Sequence, residues 1–76
     1  MFALLDTVVV ARDLPTYGLR RGDLGAVVGV YPPDGIEVEF VLASGRTQSL
    51  VSLLATDVRA VAEGDLIAVR ELQRTA

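Results

Sequence analysis

Short runs of β-branched and aliphatic residues, cut at intervals by Gly, Pro and Asp, predict an all-β fold for this chain. The expected architecture is a small SH3-like barrel of five to six mostly antiparallel strands with one short helical turn. One observation is the alternation of Ile36, Val38, Phe40 and Leu42 with Glu37 and Glu39, the period of a half-buried strand. A second is the turn chemistry on either side of it, Pro32-Pro33-Asp34-Gly35 before and Ser44-Gly45 after. The third is the order of the pieces, with a long loop after the first strand and a capped turn before the fifth.

The valine-rich stretch from Leu4 to Ala11, LLDTVVVA, reads as the first strand and ends at Asp13-Leu14-Pro15. The loop from Arg12 to Gly22 is too long for a hairpin. Leu24 to Tyr31 is the second strand and Ile36 to Leu42 the third. Ala43-Ser44-Gly45-Arg46 then turns the chain so that Thr47 to Leu53 returns as the fourth. Pairing Leu42 with Thr47 sets Phe40 opposite Ser49, Val38 opposite Val51 and Ile36 opposite Leu53, and leaves Leu50 outward beside Glu39. Ala55-Thr56-Asp57 reads as one helical turn with a Thr or Asp cap, and Val58 to Val61 as a short fifth strand. Residues 1–61 therefore form the barrel. Residues 62–76 form an extension in which LIAVREL is expected to add a strand, although its Ala, Leu, Arg and Glu also suit a helix, and QRTA a frayed end.

Three glycines, Gly18, Gly22 and Gly25, fall within eight residues. A phosphate cradle places such glycines between a strand and a helix, where amide N–H groups meet the anion. Here they lead into Ala26-Val27-Val28-Gly29-Val30, poor helix material because of its branched residues and central glycine. They are expected to bend a strand.

Composition excludes most chemistry. The 76 residues hold no Cys and no His, and all seven basic residues are Arg, so thiolates, imidazole ligands and catalytic lysines are absent. The expectation is no enzyme, no metal and no cofactor. A net charge of −3 disfavours nucleic-acid binding. No run of about eighteen apolar residues marks a membrane span, and MFALL is too short and uncharged for a leader, so a cytoplasmic location is expected.

The segments LLDTVVV, RDLPTYGLRRGDLGAVVGVYPPDG, IEVEFV, SGRT and LLATDVRAV resemble a small bacterial family of unknown function. Its pattern reads D-x-V, DLP-x-x-GL-x-x-GD-x-G-x-V-V-x-V-Y, EVEF and D-[LV]-R, and it covers about the first four-fifths of the chain. The resemblance implies an SH3-like barrel similar in outline to the accessory barrels of nitrile hydratase. It also implies a gene beside another small protein, as in toxin–antitoxin or immunity pairs. It implies no catalytic residues.

The candidate contact residues follow from exposure and position. Leu14 and Tyr17 sit in the long loop, where binding residues concentrate on a rigid scaffold. Arg20 and Arg21 offer a basic rim. Val27, Tyr31, Val41 and Leu50 are expected to face outward as one apolar patch. Glu37 and Glu39 share a strand face, but no third ligand accompanies them and they read as a solvated surface. The expected function is a non-catalytic protein-interaction module, an antitoxin-like or accessory subunit bound to the product of an adjacent gene, with a homodimer formed through the C-terminal strand. The alternative is an RNA-associated barrel similar to KOW domains.

Overall fold

A computed structural model describes residues 2–72. It is all-β: five strands form one antiparallel sheet in the order β4-β3-β2-β1-β5. They are β1 (Thr7–Val10), β2 (Leu24–Tyr31), β3 (Gly35–Val41), β4 (Thr47–Leu54) and β5 (Val58–Ala60). Two 3₁₀ turns, Pro15–Tyr17 and Ala55–Asp57, supply all the helix among the described residues.

One face of every strand contributes to a single aliphatic core: Val8 and Val10 of β1, Val27 of β2, Ile36, Val38 and Phe40 of β3, Val51 and Leu53 of β4, Val58 of β5. No second layer of structure lies opposite that face among the described residues. The sheet therefore has to curl around its own side chains to remove them from water. Leu14 and Leu19 close the core from the long loop.

The β3–β4 hairpin pairs Ile36 with Leu53, Val38 with Val51 and Phe40 with Ser49, as the alternation requires. The expected pair of Leu42 with Thr47 does not form. Val41 stands opposite Thr47 because a bulge takes up Gln48, between Thr47 and Ser49 of β4. The connection closes as a turn in which the Leu42 amide donates to the Arg46 carbonyl (2.8 Å) and Gly45 adopts φ +92°. That conformation suits a glycine.

A second bulge interrupts β2 between Val27 and Gly29. It shifts the alternation by one residue, so Val27 faces the core and Val30 packs against it from the next inward position. Val27 is fully buried, which corrects its expected outward place. Gly25 lies where a Cβ would stand 2.5 Å from Val38 Cγ1 and 2.9 Å from Phe40 Cε1. The strand runs close against β3 there because it has no side chain in the way. Of the three glycines only Gly25 serves the strand itself; Gly18 and Gly22 lie in the loop before it at positive φ, and β2 rather than a helix follows them.

Strand β1 begins at Thr7 rather than Leu4, because Leu4 and Leu5 form a turn with Leu5 at φ +71° and the Asp6 carboxylate accepting the Ala3 amide (2.9 Å). The fifth strand stops at Ala60, one residue short of expectation. Residues 66–72 form neither the expected added strand nor a helix, and residues 73–76, which include the expected frayed end, lie outside the described residues.

Candidate interaction surface

The long loop uses its polar side chains on its own backbone. Asp13 Oδ1 accepts the Arg21 amide (2.9 Å), and Asp23 Oδ2 accepts the Arg20 amide (2.8 Å). Leu14 and Leu19 bridge through their main chains and are buried side by side in the core. Gly18 ends the 3₁₀ turn at φ +68° and Gly22 sits at φ +98°. Leu14 is only 5% exposed, which corrects its assignment as a contact residue. Burial of a leucine this complete holds the loop down and leaves nothing for a partner.

Tyr17, Tyr31, Val41 and Leu50 are exposed, and so are Arg20 and Arg21. Neither arginine forms an ion pair among the described residues. The register explains why three of the apolar residues share a face. Glu39 pairs with Ala26 on one side and Leu50 on the other, Glu37 with Gly29 and Ser52, and Gly35 with Tyr31 and Leu54. Side chains at these paired positions point away from the core. Val41 follows Glu37 and Glu39 at the same alternation. The outer face therefore presents Tyr31, Val41, Leu50 and Leu54 around two glutamates. Tyr31 lies back over Gly29, whose absent Cβ would stand 2.8 Å from the phenol oxygen.

Leu54 and Val28 were not foreseen as parts of this face. Leu54 has the same parity as Leu50, a signal available once β4 is carried one residue further. Val28 is exposed only because it occupies the bulge.

The carboxylates do structural work. Asp57, the one buried charged residue among the described residues, receives Arg12 through Nε (2.9 Å) and a terminal guanidinium nitrogen (2.7 Å) on Oδ1 and the Leu54 amide (3.0 Å) on Oδ2. It caps the 3₁₀ turn from its third residue, reaching back instead of sitting at the start. Glu39 Oε2 accepts the Thr47 hydroxyl (2.6 Å). Among the described residues, no three His, Cys, Asp or Glu gather in a way that could hold a metal ion. No described helix is long and apolar enough to cross a membrane.

Beyond β5 the chain folds back as an arm. Arg59 grips Asp65 with two guanidinium nitrogens (2.8 and 2.9 Å), and the Ala62 amide donates to the same carboxylate (2.7 Å). These donors hold the Asp65 carboxyl at a pKa of about 2, the arginine contributing most. Further on, Arg70 donates to both oxygens of Asp23 (2.7 Å each) and to the Gly18 carbonyl (3.0 Å). Burial pushes the Asp23 carboxyl up, but the Arg70 fork, the Arg20 amide and the two positive charges together bring it below the ordinary carboxylate value. Between the anchors the arm crosses the outer side of Val9 and Leu24. Val9, on the opposite face from the core residues Val8 and Val10, lies on this side and is also buried. Past it, a cleft of about 270 Å³ opens between the arm and Leu19, Phe40 and Leu42.

Residues 4–60 match the family described as Domain of unknown function (DUF4926). The chain belongs to this family. The match spans all five strands and ends at the last residue of β5, so the arm lies beyond it. No curated protein and no solved structure matches the chain. The residues of the DLP-x-x-GL-x-x-GD-x-G pattern all have architectural roles: Asp13 and Asp23 hold loop amides, Leu14 and Leu19 fill the core, Pro15 opens the 3₁₀ turn, Gly18 and Gly22 take positive φ, and Gly25 admits the neighbouring strand.

Proposed function

We propose that this member of DUF4926 is a non-catalytic protein-interaction module, an accessory or antitoxin-like subunit that binds the product of an adjacent gene in the cytoplasm. The single observation behind the reading is the outer strand face, where Tyr31, Val41, Leu50 and Leu54 stand exposed on one side of β2, β3 and β4. Scattered exposed apolar residues are ordinary, but four large ones on one rigid face favour a partner. The carboxylates that could act as acids or bases are in large part engaged: Asp6, Asp13, Asp23, Asp57 and Asp65 all accept backbone amides. An SH3-like barrel is the finer reading of the fold, supported by a curled sheet in which β1 pairs with both β2 and β5 and a 3₁₀ turn joins β4 to β5.

Co-expression with the adjacent gene product followed by size-exclusion chromatography tests the reading. The two chains should co-elute, and Leu50→Glu should separate them while leaving the circular dichroism of this chain unchanged. Separate elution of the unaltered pair overturns it. Retention of the pure protein on a nucleic-acid column, falling steeply with salt, replaces it with RNA binding.

A further inference from the structure

The arm and the β4 edge have complementary needs. Leu66, Ile67 and Val69 are 92%, 76% and 95% exposed, and the backbone of residues 66–72 makes no hydrogen bond to another backbone among the described residues. A run of Leu, Ile, Ala and Val outside any helix, strand or turn, with free N–H and C=O groups, is strand material without a ladder. At the far side of the sheet, β4 is its terminal strand, eight residues long, and reads Thr-Gln-Ser-Leu-Val-Ser-Leu-Leu. Edge strands are ordinarily blunted by charge, proline or a covering segment. Here there is neither charge nor proline, the one irregularity is the bulge at its start, and no described segment pairs with the outer edge.

We propose that Leu66–Leu72 of one copy adds as a strand to the β4 edge of a second copy, giving a two-fold dimer in which each arm is seated on the other chain. The inference rests on the reading of the chain as an interaction module and names one partner for it, the chain itself.

Within one copy the arm cannot do this. The Arg70 fork holds it at Asp23, beside the start of β2, so its last residues face Thr47 and Gln48 across open clefts and make no backbone hydrogen bond to β4 among the described residues. The same fork, with the Arg59–Asp65 clamp, brackets Leu66–Val69 and keeps their side chains turned to water while the arm continues to cover Val9. A segment ordered before it binds loses less entropy on docking. The arm need not leave its seat to be paired from its free side.

The area predicts the strength. Seven extended residues span about 23 Å at about 3.3 Å each, and sheet layers pack about 10 Å apart. Counting both surfaces of two reciprocal contacts gives about 900 Å² buried, just below the ~1,000 Å² expected of a stable specific interface. The dimer should therefore dissociate on dilution.

Sedimentation of the pure full-length chain across a wide concentration range should show a reversible monomer–dimer equilibrium. Val69→Lys, a change at an almost fully exposed side chain, should weaken it by about tenfold or more, and Arg70→Ala several-fold through loss of the bracket. The chain has no cysteine of its own, so copies carrying Val69→Cys mixed with copies carrying Leu50→Cys or Ser52→Cys should form mixed disulfides on mild oxidation. A chain that stays monomeric at millimolar concentration overturns the inference. So does a dimer indifferent to Val69→Lys, or a disulfide formed within one doubly substituted copy at high dilution. Co-elution with the adjacent gene product, if it occurs, should survive Val69→Lys, which separates failure of self-association from failure of the partner reading.

Discussion

Two regions lie largely outside the main sheet, the loop from Asp13 to Asp23 and the arm from Ala62 to Leu72, and they are secured in opposite ways. The loop sinks its apolar residues, Leu14 and Leu19, into the core and spends its carboxylates on its own amides. The arm leaves Leu66, Ile67 and Val69 in water and is held by two arginine–carboxylate forks. A loop fixed by burial is part of the fold. A segment fixed by ion pairs, the Arg59–Asp65 pair exposed and the Arg70–Asp23 pair part-buried, is a more separable layer, because the exposed pair is worth little and is screened by salt.

Leu19→Ala should produce the largest effect on this contrast. Removing a buried leucine from so small a core is expected to destabilise the chain by about 2–5 kcal/mol, read as a fall in the urea midpoint. A change near zero would mean that the loop is as separable as the arm. Gly25→Ala comes next, at about 1–3 kcal/mol, because the added methyl meets Val38, Phe40 and the Glu39 carbonyl within 3.1 Å. Wild-type stability in that variant would show that β2 can move away from β3 at no cost.

The smallest effect belongs to the arm. Asp65→Asn should leave the global midpoint nearly unmoved while amide exchange at Leu66–Val69 accelerates. The pH dependence has a definite sign. The carboxyl binds its proton near pH 2 when clamped and near pH 3.8 when free. The clamp is therefore fully in force above about pH 4 and is lost as the pH falls toward 2. An NMR titration of the Asp65 carboxyl with an ordinary midpoint would remove the clamp from the account.

Much of the sheet was legible because period and turn chemistry agree. Leu24–Tyr31 and the register from Ile36 to Phe40 follow from alternation bounded by Pro-Pro-Asp-Gly and Ser-Gly. The outer positions of Leu50 and Val41 were legible for the same reason. Val27 was not, since a bulge leaves no mark in Val-Val-Gly-Val and a shift of one residue exchanges the faces of everything after it. Leu14 was misplaced because a loop residue is polar-facing by default, and only its contact with Leu19 reveals that this loop folds inward. LIAVREL has the residues of a strand but no neighbour to pair with, and the Arg70–Asp23 fork, between residues 47 apart, decides where it lies.

The sequence by itself determined an all-β chain, the positions of its hairpin turns and a chemistry without thiol, imidazole or amine, because these depend on residue type and near-neighbour spacing. The tertiary structure alone decided the two bulges, the buried pair of leucines and the exposed arm. Each of those depends on what a distant segment brings alongside, and no local pattern records a contact between residues that meet only when the sheet has curled.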